Sequence, residues 1–132
     1  MVLDTSALLA IYFQEPDSER FETAILSTPQ TFMSAGTLLE ACIVVEARHR
    51  RAGSAELDQL LRKLGVTTVP VDAEQVEVGR AGFRKYGKGR HPANLNYGDC
   101  FAYALAVTTG ESLLFQGDDF SKTDVIDALA DA

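Results

Sequence analysis

Asp4 closes the apolar run Val2-Leu3, and Glu40 follows Leu38-Leu39. Asp99 precedes the apolar stretch from Phe101 to Val107, and Asp118-Asp119 come just after Leu113-Leu114-Phe115. A carboxylate in an apolar setting is costly unless it is hydrogen-bonded, paired or bound to a metal ion. Brought together, these positions form an oxygen-only cage that suits Mg²⁺ or Mn²⁺ better than zinc. Magnesium keeps several of its waters, which leaves room for a substrate phosphate. A cation held there can activate water and offset the charge that develops on a phosphate under attack, with one ion or with two.

Each acid also has a plainer use. Asp4 can cap a helix that starts near Ser6, and Glu40 can face solvent beside an apolar stripe. Asp99 can gain from the dipole at a helix start, and Asp118-Asp119 can simply make a turn. Ser6 can cap the helix, orient a carboxylate or bind a water of the cation. The joint pattern is more specific than any member.

Alternating short apolar runs and helical periodicities place these residues. Strands are expected at residues 2–4, 31–33, 67–71 and 113–115, with Val125-Ile126 as a short final one. Helices are expected over 6–13, 17–26, 37–51, 55–64, 73–86 and 97–108, with Gly53 separating the third from the fourth and Asp72 capping the fifth. Strands alternating with helices predict a single domain over residues 1–132, a three-layer α/β/α sandwich around a mostly parallel sheet. Asp4 and Asp118 or Asp119 then lie beyond strand carboxyl ends, where such sheets carry their sites.

Composition narrows the class. The chain has 132 residues, 46% apolar and 23% charged, which excludes a disordered protein, and no run approaches a membrane span. Nothing at the start resembles a secretory signal, so a cytoplasmic location is expected. Cys42 and Cys100 sit in apolar helical patterns and read as buried free thiols, with no Cys/His set for a zinc site. The net charge of −7 hides an asymmetry: residues 46–91 carry ten Lys/Arg against six Asp/Glu. Arg48, Arg50 and Arg51 form one cluster; Arg80, Arg84, Lys85, Lys88 and Arg90 form another. Both clusters can contact phosphates or can be ordinary solvated surface.

Four segments, VLDTSALLAI at the start, GTLLEA at 36–41, LNYGDCFAYALA at 95–106 and LLFQGDDFSKTDV at 113–125, occur in the order found in PIN domains. The chain resembles that family over nearly its whole length, and within it the VapC-type toxins of bacterial toxin–antitoxin pairs. The resemblance implies a metal-dependent endoribonuclease, with Asp4, Glu40 and Asp99 as the central acids. Asp118 is the fourth, Asp119 the alternative, and Ser6 the polar residue after the first Asp-Thr. It also implies an RNA substrate, a VapB-like antitoxin and a homodimer. Tyr12, Phe13, Phe21 and Phe32 are candidates for a partner groove, or core residues. A non-catalytic RNA-binding or protein-interaction domain on the same fold is the alternative.

Overall fold

The computed structural model describes residues 1–130, with the side chains at 50–52 outside the described set. Four strands, β1 (Val2–Leu3), β2 (Thr31–Ser34), β3 (Val66–Val69) and β4 (Leu113–Leu114), form one sheet in the order β3-β2-β1-β4. All neighbours run parallel, with Val2 opposite both Phe32 and Leu113. Five α-helices connect them: α1 (Thr5–Tyr12), α2 (Ser18–Leu26), α3 (Ala35–Leu64), α4 (Ala73–Tyr86) and α5 (Tyr97–Thr109).

Successive strand residues point to opposite faces, as the period of two requires. Leu3, Met33 and Leu114 join a core with α1, α2 and α3. Val2 and Leu113 join a second core with α5, against which Phe32 and Val78 of α4 also pack. The sheet is covered on both faces, giving the expected α/β/α sandwich. Each fully buried Leu or Val adds about 1.5–3 kcal/mol relative to exposure, so two-residue strands suffice when both of their side chains are buried. Pro70 ends β3, which is an edge strand, where a residue lacking an N–H does little harm. Asp72 accepts from Gln75 N at 2.9 Å and starts α4 at the expected residue.

Three expectations need correction. The helices anticipated on either side of Gly53 are one helical run of 30 residues. A straight helix of that length spans about 45 Å. Yet Thr31 pairs with Val66 and Ser34 with Val69, which sets the strand residues that flank the run, Ser34 and Val66, roughly 11 Å apart by strand spacing. A Cβ on Gly53 would lie 2.8 Å from Val45 Cγ1, eight positions back and about 12 Å away on a straight helix. The run therefore folds back near Gly53, and the glycine marks a reversal within helical backbone. Tyr12 ties the two limbs, pairing with His49 Nδ1 and donating to Glu56 Oε2, both at 3.1 Å.

The final strand around Val125-Ile126 shrinks to one bridge, Leu113 with Asp127, because only Ile126 O and Ala128 N meet the Leu113 backbone. Cys42 and Cys100 are free but half-buried rather than buried. Of the four aromatic candidates, Phe21 is core, while Tyr12, Phe13 and Phe32 are partly exposed.

Candidate active site

Strand β1 pairs with β2 on one side and with β4 on the other. The sheet grows from β1 through β2 to β3 on one side, and β4 is added on the other, so the strand order reverses at β1 and a crevice opens at its carboxyl end. Asp4 is the next residue. Its N–H donates to Leu114 O at 3.0 Å, so β4 fixes its height. Its carboxylate caps α1, accepting from Ser6 N at 3.0 Å and from Ser6 Oγ at 2.6 Å. Capping and site placement are thus the same geometry. Asp4 is only 4% exposed. Burial pushes its carboxyl from 3.8 up to about 6; the Ser6 hydrogen bonds oppose that shift, and the charges of Asp99 and Glu40 add to it.

Glu40, on α3, is half-buried. Thr5 Oγ1 donates to Glu40 Oε1 at 2.8 Å and also reaches Thr37 O at 3.2 Å. Gly98 lies against the same carboxylate, and a Cβ there would overlap it. Asp99 starts α5 in a capping box: Asp99 N donates to Asn96 Oδ1 at 2.9 Å, and Asn96 N to Asp99 Oδ2 at 3.0 Å. Burial raises the Asp99 carboxyl, as do the charges of Glu40 and Asp119, while the Asn96 hydrogen bond lowers it.

The acids therefore lie within one another's fields. Asp118 and Asp119 are both exposed, but Asp119, which opens a 3₁₀ turn at Phe120–Lys122, is the one that raises Asp99. The backbone carbonyl of Asp118 accepts from Ser121 Oγ, which does not engage its carboxylate. Among the described residues, none of these five carboxylates has a Lys or Arg partner within ion-pair distance. Such a charge cluster calls for a cation.

No three His, Cys, Asp or Glu side chains among the described residues are arranged to hold a metal ion directly. The donor chemistry still fits a hard cation, because mutually repelling carboxylates, one of them buried and none with a basic partner among the described residues, are what Mg²⁺ neutralises. That ion keeps several waters and can reach part of its carboxylate set through them.

The basic residues divide. Arg84 and Lys88, with Arg80, line a groove of about 790 Å³ between α4 and α5 that reaches Asn96 and Tyr97, beside Asp99. Arg48 lies over the Phe13 ring at 4.7 Å, Lys85 over Tyr86 at 5.1 Å and Arg90 over Phe83 at 5.8 Å. The Arg50 and Arg51 side chains lie outside the described residues.

Sequence reasoning passed over Thr5, Asn96, Gly98 and Gln116. Asn96 was readable, since an Asn three residues before an acid at a helix start is a capping signature. No local signal marks the others, whose partners lie far along the chain. Gly98→Ala is expected to displace the Glu40 carboxylate and to cost about 1–3 kcal/mol through overpacking. A thermal melt combined with a cleavage assay checks this; wild-type values in both would show that the Gly98 contact is unimportant.

The PIN domain family model matches residues 1–126. The chain is 50% identical to ribonuclease VapC30 of Mycobacterium tuberculosis over 125 residues, covering 95% of each chain. It is 51% identical to ribonuclease VapC of Mycolicibacterium smegmatis, covering 95% of this chain and 97% of that one. Its fold is similar to that of M. tuberculosis VapC20, described as a sarcin-ricin loop cleaving toxin, with a TM-score of 0.76 at 16% identity over 96% of both chains. It is also similar to a chain of the Rickettsia felis VapBC2 complex bound to promoter DNA, with a TM-score of 0.73 at 16% identity over 96% and 94%.

Proposed function

Because the chain belongs to the PIN domain family, we propose that it is an endoribonuclease, the toxin of a toxin–antitoxin pair, that hydrolyses RNA phosphodiester bonds with Mg²⁺ or Mn²⁺. One observation carries this reading: Asp4, Glu40 and Asp99, from three separate elements, converge at the end of β1 without a basic partner among the described residues. A module that only binds RNA has no use for an unpaired acidic pocket, which repels phosphate.

Asp4, Glu40, Asp99 and, as fourth acid, Asp119 would hold the cation. When bound, it supplies positive charge to the scissile phosphate and acidifies water. The remaining work belongs to the chain. Ser6 points the Asp4 carboxylate, Thr5 points Glu40, and Asn96 fixes Asp99, so the acids are preorganised before substrate arrives. Arg84 and Lys88, at the groove, are placed to take flanking phosphates. Arg48, Lys85 and Arg90, with Arg50 and Arg51, are further phosphate candidates.

The same unpaired acids suit a VapB-like antitoxin that inserts a basic side chain among them. A second copy of the chain suits the apolar surface beside the pocket, where Leu39, Ile43 and Tyr97 are 61%, 58% and 79% exposed. Among the described residues no helix is long and apolar enough to cross a membrane, and a cytoplasmic site of action fits an RNA substrate.

The test is an end-labelled RNA cleavage assay with and without Mg²⁺. Internal cuts that appear only with the divalent ion, and are absent from an Asp4→Asn protein, are expected. Metal-dependent RNA binding with no cleavage of any RNA, including ribosomal RNA, would favour the binding module.

A further inference from the structure

Gln116 has two bonds that the reading above leaves unused. Its N–H donates to Ser6 Oγ at 2.9 Å, and its Nε2 crosses to Glu15 Oε2 at 3.0 Å. With its acceptor side occupied by Gln116 N–H, the Ser6 hydroxyl commits its one proton to Asp4. The next residue is Gly117 with φ +90, a conformation cheap only for glycine. The chain turns there and delivers Asp118 and Asp119. Beyond the turn, Phe120 is buried, its ring 5.4 Å from that of Phe115. The acidic turn is therefore pinned at its far end by Phe120 and at its near end by Gln116.

We propose that Gln116, held by Glu15, is a positioning residue for the pocket, fixing Asp119 toward Asp99 and, through Ser6, the carboxylate of Asp4. Glu15 lies between α1 and α2, just past Gln14, whose φ of +52 is left-handed. The segment after α1 thus anchors a turn about a hundred residues away. This role rests on the nuclease reading for its catalytic meaning, but its effect on cation binding does not. Supporting residues of this kind change metal affinity or activity by about 10–100-fold.

The test compares wild type with Gln116→Ala, Glu15→Ala and the double variant. Each is measured for Mn²⁺ affinity by electron paramagnetic resonance, for thermal midpoint, and for kcat and KM on a cleaved RNA. Each single variant is expected to lose about tenfold in Mn²⁺ affinity and in kcat at unchanged KM. The double variant should be no worse than either single one, because one bond is lost in all three. Rescue by Glu15→Gln, whose amide oxygen still accepts from Gln116, separates positioning from simple loss of stability. Wild-type Mn²⁺ affinity in Gln116→Ala, or multiplying losses in the double variant, would overturn the proposal. If wild type cuts no RNA while Gln116→Ala still binds Mn²⁺ tenfold more weakly, the nuclease reading fails and the positioning role stands. A wild type that binds no Mn²⁺ removes both.

Discussion

Asp99→Asn is expected to lower RNA cleavage by at least about 100-fold, a loss typical of removing one preorganised electrostatic group, while the fold survives. The amide is nearly the same size as the carboxylate and keeps an oxygen to accept from Asn96 N, the bond that sets the start of α5. What disappears is charge. Asp99 sits in the fields of Glu40 and Asp119 and contributes to that of Asp4, so its charge is shared by the whole cluster. Losing the negative charge near a helix start costs about 0.3–1 kcal/mol, but relief of repulsion among the acids acts the other way. The thermal midpoint should therefore move by only about 3 °C. Single-turnover cleavage of labelled RNA together with a circular-dichroism melt measures both quantities. Undiminished cleavage by the folded variant would sink the carboxylate mechanism.

The second large effect is on stability. The Asp4 carboxyl titrates near 6 in the folded chain against 3.8 as its ordinary value, first because it is buried. The folded state holds that proton more tightly, so stability falls as pH rises from about 3.8 to 6. Above pH 6 the full penalty stands, of order 3 kcal/mol; below 3.8 it vanishes. Asp4→Asn removes the ionisation and keeps an oxygen to cap α1, asparagine being a good cap. Without divalent ions at pH 7.5 the variant is expected to melt about 5 °C or more above wild type. The gap should close as pH approaches 4. Mg²⁺ should raise the wild-type midpoint but not that of the variant, since only the charged form attracts it. Melting curves over pH decide this. A variant less stable than wild type at pH 7.5, or a gap that ignores pH, would contradict the picture of Asp4 as a strained, buried charge. Activity and stability then pull in opposite directions at one atom group.

The layers, the strand order's parallel character and the start of α4 at Asp72 were legible because period-two and helical spacing are local signals. Asp4 stands out at the end of an apolar run, but sequence alone does not separate its capping of α1 from its place beside Glu40 and Asp99, because one geometry serves both. Glu40 was misjudged by periodicity, and the reason is physical. Leu39 and Ile43, which amphipathic logic places inside, are 61% and 58% exposed, while Glu40 is half-buried against Gly98. A helix that lines a pocket breaks the inside–outside rule on which periodicity rests. Which of Asp118 and Asp119 turns toward Asp99 is not a local property, because the turn's direction depends on Gly117 and on contacts more than a hundred residues apart. The reversal inside α3 was hidden for a similar reason: both limbs keep helical spacing, and the return shows only in the strand register and in the approach of Val45 to Gly53.

Asp4 takes its height from Leu114, and β1 lies between a strand made early and one made late. During synthesis, at roughly 5–20 residues per second, the first acid leaves the ribosome many seconds before its neighbours Asp99, Gln116 and Asp119 exist as chain. No folded intermediate that lacks Leu114, Gln116 and Asp119 can hold the pocket in place. A nascent chain thus cannot assemble the pocket until the residues through Asp119 have emerged.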